Sequence, residues 1–432
     1  MSLEDLNEEF KEFLASKAKK DVSPSPIPGL VMYQDGRIKA TSLVNVEKLL
    51  THDFGSAIKF NDFTQDIQIT SVVKLDDYKF TIGRLTDNFL NQIRSYFDSH
   101  YGTLFASDLI YTAVSNVAHR NLYNPVIDYL NLAHKVWDGK DRFSTLFPDF
   151  LGVDKTPVTT MITKIWLTGA VAKAFEQKFK FDYVLDLVGS QGAGKTSLLE
   201  KLAFGFYTQS VQDFTNKDYY SMMLRALIVN DDEMKATRKA GFDELKSFIT
   251  ATEIEFRQAY ARTVGIYPKH FVIARTTNEM TYLKDKTGER RFMPLLANKD
   301  KAKYHAWEDT QEQTDYIQQV WGQAMDTYRL YLDGQFSFEI TKEEEAALAK
   351  QRESFMYIDE VESQVDEFLD SFEGDFVTSS NISFGITGED NLVKDRRLAS
   401  QIKNIMDNKN GWKYTQRRIR GIRKHGYSKI SM

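Results

Sequence analysis

The stretch that most constrains this chain spans residues 182–206 and reads DYVLDLVGSQGAGKTSLLEKLAFGF. Its first part is apolar enough to predict a buried strand, and the leucines and phenylalanine of its last part recur at the spacing of a helix. The pattern G-x-x-x-x-G-K-T lies at the junction, which is the setting in which it forms a phosphate-binding loop. The stretch therefore predicts an α/β domain built around such a loop.

The residue types in the loop match the chemistry of a bound polyphosphate. Gly189, Gly192 and Gly194 let backbone N–H groups and a helix N-terminus approach the phosphates, which larger side chains would prevent. Lys195 can reach the β- and γ-phosphates, and the Thr196 hydroxyl can bind Mg²⁺. We therefore expect these residues to bind a nucleoside triphosphate with Mg²⁺. The alternative is a glycine-rich turn that binds no nucleotide.

A second apolar strand, residues 225–234 (RALIVNDDEM), ends in acidic residues. In proteins with a phosphate-binding loop, a carboxylate at such a strand end holds the Mg²⁺ shell, and a following Glu can polarise the attacking water. We expect Asp232 and Glu233 to take these roles. Asp231 competes with Asp232 as the carboxylate that binds the metal.

Two further segments extend the predicted site. Residues 271–279 (FVIARTTNE) predict a strand that ends at Asn278, whose amide can hydrogen-bond the γ-phosphate or the attacking water. Residues 257–270, just before it, are basic and aromatic and contain turn formers, which favours a hairpin. Arg290 and Arg291 follow the strand as candidates for catalysis, with surface ion pairs as the alternative.

The composition of the 432 residues limits the class of protein. Hydrophobic and charged contents of 42% and 27% are ordinary for a globular protein of two to four domains. Cysteine is absent, which excludes disulfides and thiolate metal sites, and the seven histidines show no metal-binding spacing. Neither a secretory signal nor an uninterrupted apolar run of roughly 18 residues occurs. We therefore expect a cytoplasmic protein with no membrane partner.

Charge is unevenly distributed along the chain. Residues 394–432 contain 12 Lys and Arg and two acidic residues, although the net charge of the whole chain is −5. Within this basic end, the alternation over residues 411–427 predicts a β-hairpin after two helix-length patterns, which resembles a winged-helix DNA-binding domain. The alternative is a basic tail that docks on the acidic body of a neighbouring subunit. The residues expected to contact DNA are Arg417, Arg418, Arg420, Arg423 and Lys424.

Helical spacing and composition shifts indicate how the chain is divided. The spacing predicts helices over residues 86–99, 107–121 and 310–332, and short runs between residues 30 and 75 favour one or two hairpins. The first 150 residues contain no carboxylate or histidine constellation that indicates catalysis, so their role is left open. We expect a mixed and helical N-terminal region at 1–150, a P-loop domain at 151–335, an acidic helical linker at 336–375 and a winged-helix-like domain at 376–432.

The order of these motifs resembles the virulence-associated protein E (VapE) family, whose ATPase domain is similar to that of the superfamily 3 helicases of viruses and plasmids. The resemblance covers most of the chain, and its motifs are specific when taken together. The matching stretches are Asn124-Pro125-Val126, Trp137-Asp138-Gly139, GSQGAGKT (189–196), FRQAYAR (256–262), RTTNE (275–279) and GERRFMPL (288–295).

The resemblance implies an AAA+-type parallel sheet in a homo-oligomeric ring, expected to be a hexamer, that hydrolyses ATP with Mg²⁺ at its subunit interfaces. In such rings an arginine of the neighbouring subunit completes the site. Arg291 is favoured over Arg290 for this role, and Arg257 and Arg262 are further candidates. The hairpin before the Asn278 strand carries DNA contacts in superfamily 3, which implies a DNA-facing role for Arg262, Lys269 and His270.

One departure from the family pattern concerns the metal site. Family members carry an acidic residue where this chain has Asn230, and Glu233 matches their second acid. The carboxylate that orders the Mg²⁺ shell is therefore left open between Asp231 and Asp232.

Together these features predict an ATP-dependent DNA helicase or translocase that acts in the replication of a prophage or other mobile element. The expected partners are single-stranded or forked DNA, further copies of the chain, and replication proteins of the host or the element. The alternative is an origin-binding initiator scaffold in which nucleotide controls assembly and little unwinding occurs. A P-loop kinase for a small metabolite would leave the basic C-terminus and the paired arginines unexplained.

Overall fold

The computed structural model of the protein describes residues 27–240, 242–257, 263–283, 289–356, 360–389, 395–407, 409, 411–419 and 421–430. The chain forms two compact units. The first runs up to Asn278 and resumes from Arg291 to Glu345, and the second combines Glu279–Arg290 with the chain from Ala346 onward. This division is coarser than the four segments expected from the sequence, whose boundaries stay a prediction.

The predicted helices of the first unit are present, and side-chain caps fix where two of them begin. The Thr86 hydroxyl accepts a hydrogen bond from the N–H of Phe89, and that of Thr310 accepts from Gln313, so each helix begins one residue later than its pattern suggested. The helices that begin in this unit are α1 (Leu43–Phe54), α2 (Asp87–Tyr101), α3 (Ser107–Arg120), α4 (Pro125–Lys135), α5 (Leu146–Leu151), α6 (Pro157–Phe175), α7 (Lys195–Leu202), α8 (Tyr220–Met223), α9 (Lys235–Lys239), α10 (Phe242–Thr250), α11 (Gln311–Leu332) and α12 (Lys342–Glu353).

The strands of the first unit form a small N-terminal sheet, two hairpin pairs and a central sheet. Their bounds are β1 (Ile58–Asn61), β2 (Asp66–Ile69), β3 (Val73–Leu75), β4 (Tyr78–Phe80), β5 (Gly83–Arg84), β6 (Leu122–Tyr123), β7 (Val184–Val188), β8 (Tyr207–Thr208), β9 (Ile228–Asp231), β10 (Glu253–Phe256), β11 (Gly265–Pro268), β12 (Val272–Thr277) and β13 (Phe292–Leu296).

The N-terminal sheet has the strand order β5-β2-β1-β6 and carries its own apolar core. Strands β1 and β2 pair antiparallel, as do β3 and β4, which confirms the hairpins expected between residues 30 and 75. Helices α1 and α3 pack together and α3 covers β1, so that Leu49, Phe97 and Val114 are fully buried. Burial of this apolar area stabilises the module independently of the nucleotide site.

The central sheet is parallel, with the strand order β13-β7-β12-β9-β8. Strand β7 is buried at every position, as expected for a parallel strand that is covered on both faces. Trp166 of α6 is fully buried and donates its indole N–H to the Ile273 carbonyl at 3.1 Å, which fixes α6 against the sheet. The pairing of Thr277 with Val188 brings the carboxyl ends of β7 and β12 to the same edge.

A buried ion pair lies within this sheet. Arg275 on β12 faces Asp186 on β7 in register and donates from Nε and Nη2 to the two carboxylate oxygens, at 2.7 and 2.5 Å. The guanidinium also stacks on the Phe292 ring of β13, 3.8 Å from its centroid. Because removal of either charge would leave the other one buried and unpaired, the pair favours this strand register over others.

The second unit contains a three-stranded antiparallel sheet packed on helices. Its core includes the fully buried Val365, Ile382 and Ile402 together with Tyr427, whose hydroxyl donates to the Asp407 carboxylate at 2.7 Å. The sheet order is β14-β16-β15, and β15 and β16 form the hairpin expected near the C-terminus. The elements are α13 (Glu360–Ser371), β14 (Phe376–Val377), α14 (Ser379–Thr387), α15 (Arg396–Asp407), β15 (Trp412–Ile419) and β16 (Ile422–Lys429).

In the part of the chain that the structure describes, no helix combines the length and the apolar character that are needed to cross a lipid bilayer.

Candidate nucleotide-binding site

The glycine-rich loop connects the end of β7 to the start of α7. Gly189, Gly192 and Gly194 have φ values of 146°, 77° and 81°, a backbone region that residues with a side chain rarely adopt. At Gly189 space is also limiting, because a Cβ atom there would lie 2.7 Å from the carbonyl oxygen of Ala297. The loop therefore requires glycine both for its conformation and for its contact with the chain that follows β13.

Lys195 is the first residue of α7, and its ammonium is turned back onto the loop. Its Nζ donates to the carbonyl oxygens of Gly189 at 2.7 Å and Ser190 at 3.0 Å, and to Oδ1 of Asn278 at 2.9 Å. Burial lowers the pKa of Lys195, while the nearby carboxylates of Glu233 and Asp232 oppose that shift. The lysine therefore lies close to both acidic residues that the sequence assigns to the site.

Asn278 links this lysine to Glu233. Its Nδ2 donates to Oε1 of Glu233 at 3.0 Å, while its Oδ1 accepts from Lys195. Glu233 and Met234 have φ values of 54° and 52°, which place two consecutive side-chain-bearing residues in the left-handed region. Such conformations cost of order 1–3 kcal/mol each and persist where the surroundings enforce them, most often at functional sites.

The side chains of Asp232 and Asp231 lie in different surroundings. Oδ1 of Asp232 accepts a hydrogen bond from the Thr276 hydroxyl at 3.0 Å, and its side chain is about one-third exposed. Asp231 is fully buried, and its two oxygens accept from the backbone N–H groups of Ala236 and Thr237, each at 2.8 Å. Because both Asp231 oxygens cap helix α9, this placement does not support the metal-binding role that the sequence left open for it. Burial raises the pKa of the Asp231 carboxyl.

The remaining candidate metal ligand is Thr196, which is half-buried in the first turn of α7. No group of three or more His, Asp or Glu side chains able to hold a metal occurs among the described residues. Mg²⁺ in nucleotide sites takes only one or two protein ligands, and phosphate oxygens and water complete its shell. A hydroxyl and a partly exposed carboxylate, Thr196 and Asp232, fit that requirement.

Arg290 and Arg291 differ from each other in their exposure and surroundings. Arg291 directly precedes β13, and the first residue of β13, Phe292, pairs with Val184 at the start of β7. Arg291 therefore lies at the edge of the sheet opposite its own phosphate loop. Its Nε is 3.7 Å from the Asp182 carboxylate, and its side chain is only 14% exposed. Arg290, by contrast, is exposed.

A hairpin lies before the Asn278 strand, as β10 paired antiparallel with β11, but only β11 lies within residues 257–270, the segment from which the hairpin was expected, and β10 precedes it. Arg257 follows β10 and is exposed, whereas Arg262 lies outside the described residues. Lys269 is 3% exposed and donates to the carbonyl oxygens of Phe248 at 2.6 Å and Ile249 at 2.9 Å, at the C-terminal end of α10.

His270 is also turned inward, and its Nε2 lies 2.8 Å from the carbonyl oxygen of Leu224. The DNA-facing role expected for Lys269 and His270 is therefore not supported, because their polar atoms are used inside the fold.

The C-terminal hairpin presents a cluster of basic side chains within the second unit. Arg417 pairs across the strands with Lys424, and Arg418 with Arg423, so that like charges face each other. All four are exposed, whereas Arg420 lies outside the described residues. Like charges that face each other directly across two strands destabilise a hairpin.

Arg417 is paired with a carboxylate, whereas Arg418 donates from Nε to the backbone carbonyl oxygen of Gly421 at 3.1 Å. Arg417 forms a bidentate pair with Asp375, at 2.6 and 2.9 Å, and its guanidinium lies 5.1 Å from the Phe376 ring centroid. This pairing holds the pKa of the Asp375 carboxyl below its usual range.

The sequence reasoning missed contacts that join distant parts of the chain. Asn230 is fully buried and donates from Nδ2 to the hydroxyl of Tyr207 at 3.0 Å and, more weakly, to Thr276 at 3.5 Å. Thr276 in turn donates to Asp232, so three neighbouring strands position one carboxylate. The sequence drew attention to Asn230 only as a departure from the family pattern, and its polar side chain inside an apolar strand is the signal that could have predicted these hydrogen bonds.

Comparison with solved structures finds similar chains at low identity. The apo structure of the NrS-1 C-terminal region is 12% identical and covers 91% of this chain and 100% of its own, with a TM-score of 0.49. An A-form apo structure of the same region is 14% identical, with 89% and 99% coverage and a TM-score of 0.46. Likeness at this level is too weak to assign a function.

Comparison with curated proteins finds no match. The virulence-associated protein E-like domain, however, matches residues 132–357, which is just over half of the chain and includes the loop, the acidic strand, Asn278 and both arginines. The chain therefore belongs to the virulence-associated protein E-like family, as its order of motifs predicted.

Proposed function

We propose that this protein is an Mg²⁺-dependent ATPase of the AAA+ type that moves on DNA, as a helicase or translocase, in the replication of a prophage or other mobile element. The observation that carries the proposal is the meeting of Lys195, Asn278 and Glu233 beside a glycine loop. These side chains follow β7, β12 and β9, whose carboxyl ends share one edge of the sheet.

Each residue has a chemical role in this proposal. The loop N–H groups hold the phosphates of ATP, and Lys195 exchanges its bonds to the Gly189 and Ser190 carbonyls for bonds to the phosphates. Asn278 orients the γ-phosphate and the attacking water, and Glu233 accepts the proton of that water. Thr196 and Asp232 would hold Mg²⁺, which neutralises charge that develops on the phosphates.

The strand order supports an AAA+-type core, because β12, which leads to Asn278, lies between the loop strand β7 and the acidic strand β9. An arginine from a neighbouring copy would complete the site in a ring, which we propose to be hexameric. Arg290 is the better candidate because it is exposed, whereas Arg291 pairs with Asp182. A cationic group supplied across an interface contributes about 10³–10⁵ in rate in other P-loop enzymes.

The second unit supports a C-terminal DNA-binding module. From α13 to β16 its elements follow the order helix, strand, helix, helix, strand, strand, and a basic hairpin ends the series. We propose that this series, from Glu360 to Lys429, is a winged-helix-like domain, so that its first helix lies before the boundary at 376 expected from the sequence. In the sequence it follows the P-loop domain, expected at 151–335, and an acidic linker. The exposed Arg418, Arg423 and Lys424 would contact the DNA backbone, and affinity would fall steeply with salt.

The same basic hairpin also fits an origin-binding scaffold in which ATP controls assembly. The two functions differ in whether DNA stimulates ATP hydrolysis and in whether the protein separates DNA strands. The test therefore measures the ATPase rate with and without single-stranded DNA, together with strand displacement on a forked duplex. Stimulation with displacement supports the helicase. Nucleotide-dependent duplex binding without displacement supports the scaffold.

Lys195→Ala is the control for both functions, because loss of this ammonium should abolish hydrolysis without unfolding the protein. Lys155→Ala, which removes an exposed lysine elsewhere in the same unit, should hydrolyse ATP normally. Unchanged turnover in Lys195→Ala would overturn the ATPase proposal as a whole.

A further inference from the structure

An exposed tryptophan stands against the phosphate loop. Trp307 is 56% exposed, and its ring is stacked on that of His305, with centroids 4.8 Å apart and planes inclined by 13°. A Cβ atom added at Gly194 would lie 3.6 Å from a carbon of the indole ring and 3.3 Å from Cβ of Ala306. The aromatic pair therefore borders the loop at the residue that precedes Lys195.

The segment that contains Trp307 is hydrogen-bonded to α7 and to α11. The Lys201 ammonium of α7 donates to the carbonyl oxygen of Glu308 at 3.0 Å, and Nε2 of Gln313 donates to that of His305 at 3.2 Å. Ala306, between the two aromatic residues, is 2% exposed. These contacts fix the position of the indole relative to the loop, so its exposure does not reflect a detached surface segment.

A large aromatic ring that is rigidly held and still exposed is suited to a flat apolar ligand. His305 covers one face of the indole, and an indole face binds other rings by stacking. The base of a nucleotide is tethered through its ribose to the phosphates, so an aromatic surface that borders the phosphate loop lies within the base's reach. His305 occupies one face of the indole ring and leaves the rest of the ring exposed to a ligand.

We propose that Trp307, backed by His305, is the stacking platform for the base of the nucleotide bound at the loop. The proposal rests on the proposed nucleotide-binding function and adds to it the subsite for the base. Because every base has a π-face, stacking contributes affinity while discriminating weakly among bases. Trp307 is therefore a binding residue, and the loop residues remain responsible for the phosphates.

The experiment compares a ligand that has a base with one that lacks it. Binding of AMP-PNP and of inorganic tripolyphosphate, both with Mg²⁺, is measured by calorimetry for the unmodified protein and for Trp307→Ala, Trp307→Phe and Lys195→Ala. Trp307→Ala should bind AMP-PNP roughly tenfold more weakly and tripolyphosphate with unchanged affinity. Trp307→Phe should retain most of the AMP-PNP affinity, and Lys195→Ala should lose affinity for both ligands.

Intrinsic fluorescence gives a second readout, because AMP-PNP should quench the unmodified protein while tripolyphosphate should not, and the quenching should be lost in Trp307→Phe. Tyr111→Ala, which truncates another exposed aromatic residue, should bind both ligands normally. If Trp307→Ala binds AMP-PNP as the unmodified protein does, or loses both ligands equally, the base subsite is overturned while nucleotide binding stands. If the unmodified protein binds neither ligand, the proposed function and the subsite are both wrong.

Discussion

The Lys195 ammonium lies 2.9 Å from Oδ1 of Asn278, and the opposite end of that amide donates to Glu233 at 3.0 Å. The lysine can only be bound by the amide oxygen and the glutamate only by the amide nitrogen, so the orientation of Asn278 is fixed by its two partners. Movement of the lysine onto a phosphate would break the first bond and release the amide. In the proposed ATPase, the arrival of nucleotide is thereby linked to the carboxylate that activates water.

Glu233→Gln should separate binding from hydrolysis. The glutamine oxygen can still accept the hydrogen bond from Asn278, but it cannot take a proton from water, so we expect kcat to fall at least about 100-fold. Affinity for AMP-PNP should stay within about threefold of the unmodified protein. Steady-state ATPase assays and calorimetry measure the two quantities. Glu200→Gln, an exposed substitution on α7, is the control and should retain its turnover.

Exchanging each neighbouring aspartate for asparagine should show which of them binds Mg²⁺. Asp232→Asn should raise the Mg²⁺ concentration needed for half-maximal ATPase activity and leave the thermal midpoint nearly unchanged. Asp231→Asn should instead lower stability by about 1–3 kcal/mol, because an amide cannot accept with both atoms and one backbone N–H of Ala236 or Thr237 loses its partner. A rise in the Mg²⁺ requirement in Asp231→Asn at normal stability would contradict this assignment.

Much of the site could be predicted from the sequence because its signals are local. Residues 182–206 alone predict the order strand, glycine loop, helix, and the hairpin of β15 with β16 follows from turn formers between alternating residues. Because β7, β12 and β9 are parallel, their carboxyl ends lie at one edge of the sheet, and this alone brings Lys195, Asn278 and Glu233 together. Two helices begin one residue later than their pattern predicts, because a threonine cap outside the apolar pattern sets the first turn.

The surroundings of a side chain could not be predicted where they come from residues that are distant along the chain. The position of Lys269 in the sequence is typical of an exposed lysine. Its ammonium nevertheless donates to carbonyl oxygens at the C-terminal end of α10, which lie about 20 residues earlier in the chain. Asp231 and Asp232 are chemically alike, and the backbone amides of α9 decide which one turns inward. The place of Arg291 at the far edge of the sheet depends on β13 being parallel to β7, a pairing that the residues alone do not specify.

The two arginines before β13 should respond in opposite ways to truncation. Arg290→Ala should fold normally and hydrolyse ATP about 10³-fold more slowly, because an exposed arginine would act on a neighbouring subunit. Arg291→Ala should lower the thermal midpoint, because it removes the partner of Asp182, and should retain its turnover.

Mixing Arg290→Ala with Lys195→Ala should restore part of the activity, since an intact loop then meets an intact arginine. If Arg291→Ala is stable but inactive, and is rescued by the same mixing, the original preference for Arg291 is correct.

The basic residues of the C-terminal hairpin should differ in their contribution to DNA binding. Arg423→Ala should weaken binding to a forked duplex and reduce the slope of log affinity against log salt by about one, because one phosphate contact is lost. Arg417→Ala should change that slope less, since its guanidinium is already paired with Asp375. Asp375→Asn, which removes this competing carboxylate, should strengthen binding. Fluorescence anisotropy at several salt concentrations measures the slopes, and equal slope changes for Arg417→Ala and Arg423→Ala would contradict the distinction.

His270 should make the stability of the protein depend on pH in the acidic range. Burial lowers the pKa of His270 from 6.5 to about 4, although the bond to the Leu224 carbonyl opposes the shift. Below pH 6.5 the unfolded chain binds a proton that the folded chain does not, so acidification favours unfolding. The stabilisation is complete above about pH 6.5 and is lost as the pH falls to about 4, with a total on the order of 3 kcal/mol.

His270→Gln keeps a donor for Leu224 without a titrating ring, so its free energy of unfolding should fall less between pH 6.5 and 4.5. Denaturation curves at these pH values test this, and parallel losses in both proteins would show that His270 is not the group responsible.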